Sequence, residues 1–222
     1  MLKHIDQISE QAFLLDFGSE INIKVSKYVI AYSNFILKEA EKNKSLGILN
    51  CVPSYNKILI QFNPTDNIKK KIKEFLLSTS KKKILFNENN QIVEIPICYD
   101  DDFALDIEDI ASRTNFSKSE IIEIHLNTNF YVYMIGFMPG LPFMGNLNKN
   151  LFIPRKLSPR IEVPAGSVAI VDNLCVIYPF ASPGGWNIIG RTPQMIFNKN
   201  INDPNLLRAG FKVKFKKISK QQ

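Results

Sequence analysis

The chain has 222 residues, of which 45% are hydrophobic and 22% charged, with a formal net charge of +7. These values suit a soluble globular protein of one large or two small domains, and no apolar run approaches the roughly 18 residues of a membrane span. Cys51, Cys98 and Cys175 are dispersed without a CxxC pair, which argues against a disulfide framework or a zinc site and suits buried thiols.

The excess positive charge is mostly Lys. The runs Lys69-Lys70-Lys71 and Lys81-Lys82-Lys83 read as a solvated helix face and a linker, so nucleic acid is not an expected partner. The first six residues lack a signal-peptide apolar core, and the cytoplasm is the expected location.

In chain order, residues 12–17 form an apolar strand closed by Gly18. Val25, Val29, Tyr32, Ile36 and Ala40 recur at helical spacing and predict a helix over 22–42. Strands at 47–52 and 57–62 flank a Pro53-Ser54-Tyr55-Asn56 turn. Pro64-Thr65-Asp66 opens a second helix with Ile68, Ile72, Phe75 and Leu76 on one face. Two helices on one face of a small antiparallel sheet make an α+β sandwich.

A linker is expected at 78–83. Beyond it, residues 92–99 form a strand that Pro96 confines to an edge. Short helices follow at 106–113 and from Ser117, where Ser117-Lys118-Ser119-Glu120 is a capping box. Strands at 168–171 and 174–178 flank a tight Asp172-Asn173 turn, and 211–215 alternates as a half-buried strand. Many short strands punctuated by Pro and Gly predict a barrel or sandwich.

Eight of the 12 prolines and seven of the 10 glycines fall within residues 136–193. Proline fixes φ and glycine permits positive φ, so together they build rigid irregular loops, the usual seat of a binding site on a β scaffold. All five arginines, Arg113, Arg155, Arg160, Arg191 and Arg208, lie in the second half. In a Lys-using chain, a planar guanidinium suits bidentate capture of carboxylate or phosphate.

Four blocks stand out. They are Gly136-Phe137-Met138-Pro139-Gly140-Leu141-Pro142-Phe143, Pro154-Arg155 with Pro159-Arg160, Val163-Pro164-Ala165-Gly166-Ser167-Val168-Ala169-Ile170, and Ser182-Pro183-Gly184-Gly185-Trp186 running into Gly190-Arg191-Thr192-Pro193. With Ile177-Tyr178-Pro179 they resemble the KipI family, also described as allophanate hydrolase subunit 1 and as the 5-oxoprolinase B subunit. The likeness runs over 6–218 and includes Ile95-Pro96-Ile97-Cys98-Tyr99 and His125. Leu141, Met144 and Asn187 stand where the family pattern has Phe, Leu and Gln, and Leu126 follows the histidine where a small polar residue is usual.

The resemblance implies an α+β chain: a two-layer α/β N-terminal domain at 1–82, then a cyclophilin-like β-barrel at 83–222. It also implies a KipA-like partner (the 5-oxoprolinase C subunit), a further hydrolase subunit, and a share in the ATP-dependent opening of 5-oxoproline to glutamate. Other branches of the family imply inhibition of a sensor histidine kinase or carboxyltransferase and allophanate hydrolase work.

No GxxxxGK[ST] loop is present, so ATP, if bound here, needs another constellation or a shared site. Arg155, Arg160 and Arg191 are the candidates for holding phosphate or a small anionic substrate. His125, one turn after Ile121, reads either as a core histidine or as a general acid or base. Gly136, Phe137, Pro139, Gly140, Tyr178, Ser182, Pro183, Gly184, Gly185, Trp186 and Thr192 complete the candidate ligand surface. Asp100-Asp101-Asp102 reads as a solvated turn, and no metal site is expected. With His4 and His125 as the two histidines and no GxSxG elbow, a Ser-His-Asp hydrolase is not expected.

Overall fold

The computed structural model describes residues 2–65, 67–80 and 91–219. The chain divides into two compact units, Met1–Asn89 and Asn90–Gln222. Of the expected linker, Ser78 and Thr79 lie in a helix, and Lys81, Lys82 and Lys83 fall outside the described residues.

The first unit runs β1 (His4–Ser9), β2 (Ala12–Asp16), α1 (Ile23–Lys42), β3 (Ile48–Ser54), β4 (Lys57–Phe62) and α2 (Ile68–Thr79). Its antiparallel sheet has the order β1-β2-β4-β3. Asn22 starts α1 by accepting the Val25 N–H at 2.9 Å through its side chain, which satisfies one of the helix's orphan donors. The predicted helical stripe is the buried one: Val29, Tyr32 and Ile36 pack with Ile72 and Leu76 of α2 over Phe13, Leu15, Ile58 and Ile60 of the sheet. Each such apolar side chain contributes about 1.5–3 kcal/mol on burial. The Tyr32 hydroxyl ties the two helices together, donating to the Leu76 carbonyl at 3.1 Å.

The second unit runs β5 (Ile92–Ile97), α3 (Ile107–Thr114), α4 (Lys118–Asn127), β6 (Phe130–Ile135), β7 (Pro142–Gly145), β8 (Arg160–Val163), β9 (Ser167–Val171), β10 (Leu174–Ile177), β11 (Ser182–Gly184), β12 (Asn187–Arg191) and β13 (Lys212–Lys217). Seven strands form one sheet in the order β12-β9-β10-β7-β6-β13-β5. Its two edges meet at an antiparallel bridge between Cys98 and Arg191, so the sheet is a nearly closed barrel. All seven strands contribute to one buried cluster, the barrel interior, which includes Ile95, Val132, Met144, Ile170, Ile177, Ile189 and Phe215. Ile107, Ile110, Ile121 and Ile122 of the two helices join that cluster. Pro96 sits on an edge strand, as its missing N–H requires. The Ser117 capping box on α4 is formed on both sides.

Side chains alternate along a strand, so residues between the interior positions point outward. On the outer face Leu141, Val163, Ala169, Val176, Tyr178 and Ile188 form a smaller buried cluster. It is flanked by the two-stranded ribbon of β8 and β11. No described helix is long and apolar enough to cross a membrane.

Candidate functional site

Leu141, Val163, Ala169 and Trp186 bring three of the Pro- and Gly-rich blocks onto this outer face. Met138, Phe143 and Trp186 are partly buried against the cluster, and Phe143 meets Trp186 edge-on with ring centroids 5.9 Å apart. The turn from Gly136 to Leu141 is closed by the Gly136 N–H donating to Leu141 O at 3.1 Å. Within it Phe137 and Gly140 both have positive φ. Phe137 and Pro139 are exposed at the tip. Gly140 faces inward, where a Cβ would lie 2.4 Å from the Phe197 Cβ.

Tyr178 projects from the end of β10 toward the ribbon. A Cβ on Gly184 would stand 2.6 Å from its hydroxyl and 3.0 Å from Val163, so glycine is required for this approach. Burial raises the Tyr178 phenol above its ordinary pKa, and the nearby charge of Arg155 works against that rise. Arg155 itself is exposed, and no ion pair to it occurs among the described residues. Its two neighbours are anchored. Asn187 Nδ2 donates to the Pro154 carbonyl at 3.0 Å, and the Lys156 N–H donates to Gly185 O at 2.8 Å. Ser182 and Pro183 form the open edge of the ribbon. Leu157 and Ile161, on the same segment, are almost fully exposed.

The three candidate arginines occupy three different environments. Arg160 is committed to a forked pair with Asp106, with Nη1 to Oδ2 at 2.9 Å and Nη2 to Oδ1 at 2.7 Å. Arg191 lies at the barrel seam with its guanidinium carbon 5.2 Å from the centre of the Phe103 ring, and its buried Nε has no hydrogen-bond partner among the described residues. Arg155 is the exposed one beside Tyr178. Thr192, next to Arg191, is buried, and its hydroxyl accepts the Gln194 N–H at 3.1 Å.

His125 belongs to the barrel interior and has no exposed surface. Its rings of contact are Tyr99, Phe130 and Phe215. Nδ1 lies 2.7 Å from the Tyr99 hydroxyl and Nε2 3.7 Å from Cys175 Sγ. Burial pulls its pKa from 6.5 down to about 3 and drives the Cys175 thiol well above its ordinary value. A fully buried, neutral imidazole packed among aromatic rings is the arrangement of a core histidine, one of the two readings that the sequence admits. Among the described residues no group of three or more His, Cys, Asp or Glu could hold a metal. A shallow depression along α4, lined by Ser119, Ile122, Glu123 and Lys217 among others, contains none of the loop residues.

The model of the family described as carboxyltransferase domain, subdomain C and D, matches residues 3–207. The chain is 36% identical to the 5-oxoprolinase B subunit of Bacillus subtilis, covering 98% of this chain and 93% of that protein. The chain belongs to the 5-oxoprolinase B-subunit family. It is also 33% identical to the 5-oxoprolinase B subunit of Haemophilus influenzae, covering 96% of each. Among solved structures, TTHA0988 superposes with a TM-score of 0.81 at 29% identity over 94% of this chain. This B-subunit family chain spans 40% of the length of that one.

The family blocks include Arg160 and the outer-face loops but not the carboxylate that Arg160 binds. Asp106 and Lys156 carry no motif signal. Asp106 reads as an ordinary helix-start residue between Leu105 and Ile107, and its partners lie 50 to 82 residues away.

Proposed function

We propose that this chain is the B subunit of an ATP-dependent 5-oxoprolinase that opens 5-oxoproline to glutamate with a KipA-like partner, the C subunit, in the cytoplasm. The likeness to the Bacillus subtilis protein over nearly the whole of both chains carries this reading, and the outer-face site fits the substrate's chemistry. We also place the barrel in the cyclophilin-like class and the domain boundary near residue 82. 5-Oxoproline offers a carboxylate, a lactam and three ring carbons that carry no charge. Arg155 supplies a forked donor for the carboxylate. Tyr178 supplies a hydroxyl donor, since a phenol with an ordinary pKa of 10.0 is protonated near neutral pH. Phe143 and Trp186 supply an apolar shelf for the ring.

Cleaving an unstrained lactam needs an activated carbonyl, and ATP supplies that activation. Of this chain's candidate acid–base and nucleophilic groups, His125 and Cys175 are sealed in the barrel. A partner that supplies the hydrolytic groups would complete the site between subunits, with ATP held there or shared with this chain's arginines. A further hydrolase subunit would receive the activated substrate. Leu157 and Ile161, apolar and almost fully exposed beside the cationic loop, are what such a partner would cover. Changing both to Asp should weaken the complex in a titration of the two proteins while leaving the free chain's Tm unchanged.

The test is coupled measurement of ADP and glutamate with the subunits singly and combined. Neither protein alone should release glutamate, and the combination should. Arg155→Ala should raise KM for 5-oxoproline at least about tenfold, the loss expected for a forked charged hydrogen bond of about 1.5–3 kcal/mol. The family's carboxyltransferase description keeps a second reading in play, in which the site holds the acceptor of a carboxyl group. A silent combination that nevertheless yields carboxylated product would favour it. A silent combination in which this chain alone lowers autophosphorylation of a sensor histidine kinase would favour the inhibitor reading.

A further inference from the structure

Asp106 stands at the N-cap position of α3, yet its side chain makes no capping bond to that helix. The carboxylate turns to three other places. Oδ1 accepts Lys156 Nζ at 2.8 Å and Arg160 Nη2 at 2.7 Å. Oδ2 accepts Arg160 Nη1 at 2.9 Å and the Ile188 N–H at 2.7 Å. The Asp106 N–H donates to Ile188 O at 2.9 Å, so the residue is also stitched to β12 through its backbone. It is 3% exposed, while Arg160 and Lys156 are about a quarter exposed. Burial works against its ionisation, but the bonds from Arg160, Lys156 and Ile188 outweigh it and keep the carboxyl below its ordinary range.

Residues 152–159 have no regular secondary structure. Such a segment has many accessible conformations unless something fixes it. Here both cationic side chains that follow Arg155, at 156 and 160, end on one buried carboxylate. Arg155 directly precedes the first pinned residue and is the one cation of the three left exposed. One carboxylate facing two cations also leaves the local charge positive, which favours an anion at the remaining guanidinium.

We infer that Asp106 is a positioning residue for the anion site: through Lys156 and Arg160 it holds the 154–160 loop so that Arg155 is presented beside Tyr178. This rests on the reading of Arg155 as the ligand of the substrate carboxylate. Asp106→Asn keeps the shape and an acceptor for Ile188 but strips the counter-charge from both cations.

The experiment measures KM and kcat for 5-oxoproline in the assembled enzyme with Asp106→Asn, Arg155→Ala and the double variant. Asp106→Asn should raise KM at least about tenfold, as loop misplacement does in other sites, with kcat changed less than about threefold. In the Arg155→Ala background the same change should add almost nothing, because a displaced loop cannot lose a ligand already removed. An equal KM effect in both backgrounds overturns the inference, as does an unchanged KM for Asp106→Asn when Arg155→Ala raises it. If Arg155→Ala leaves KM unchanged, the site reading itself fails. Should Asp106→Asn not fold, Lys156→Met serves instead. It spares the Arg160 fork and should give a smaller KM rise with the same dependence on Arg155, and additivity there would equally overturn the inference.

Discussion

Acidification from pH 6.5 toward pH 3 is expected to remove up to about 5 kcal/mol from the stability of the barrel unit through His125 alone. The imidazole is neutral in the folded chain down to about pH 3. In the unfolded chain it takes a proton near its ordinary 6.5. The unfolded state therefore binds the extra proton across that window, and each pH unit costs about 1.4 kcal/mol. Above pH 6.5 both states are neutral there and the contribution is flat. Tyr99 and Cys175 are the titratable groups facing the ring; their ordinary values of 10.0 and 9.0 lie above this range and burial raises both, so neither titrates within it. Asp106, whose carboxyl lies below its ordinary 3.8, adds to the loss only below about pH 4.

The single tryptophan, Trp186, lies in the barrel unit, so its fluorescence follows that unit's unfolding. Urea midpoints at pH 7, 6 and 5 give the slope. His125→Gln keeps a neutral partner for Tyr99 but cannot take up the proton, so its stability should stay flat between pH 6.5 and 5. Parallel slopes for the two proteins would show that the ring is not buried neutral.

The same residue marks how far the sequence reached. His125 follows Ile121 by one turn of α4, and that spacing already admitted a core histidine. Choosing between the two readings takes the barrel wall, because Cys175 and Phe215 come from strands far along the chain. The first unit's helices were legible because their stripes repeat locally. Strand β1 was not. Of its six residues only Ile5 is even partly buried, so this edge strand shows no alternation to read. The arginines follow the same logic. Their clustering in the loop blocks was visible, but which one is free depends on Asp106, and a pairing across 54 residues leaves no local pattern.

Gly166→Ala is expected to cost about 2–5 kcal/mol, far more than its single added methyl suggests. Gly166 has φ +78°, a conformation that costs an L-residue about 1–2 kcal/mol. Its missing side chain is also where the Pro164–Ser167 block meets the Arg191–Pro193 block. A Cβ would fall 2.3 Å from the Thr192 carbonyl oxygen and 3.3 Å from Arg191 Cγ. A backbone oxygen cannot swing aside as a side-chain tip can, so the seam itself must move, adding about 1–3 kcal/mol of overpacking. Two hydrogen bonds resist that movement. The Gly166 N–H donates to Tyr178 O at 2.7 Å, and Gly166 O accepts the Thr192 N–H at 2.9 Å. Gly18 is the control. It has φ +113° with no atom within 4 Å of an added Cβ, so alanine there meets the backbone penalty alone. Urea unfolding of both variants, with Trp186 fluorescence for the barrel and circular dichroism for the helical first unit, separates strain from collision. A loss at Gly166 no larger than at Gly18 would mean that the two motif blocks are not packed as described. Because Tyr178 is bonded to the displaced glycine, the Gly166 variant should also raise KM for 5-oxoproline in the assembled enzyme, and the Gly18 variant should leave it unchanged.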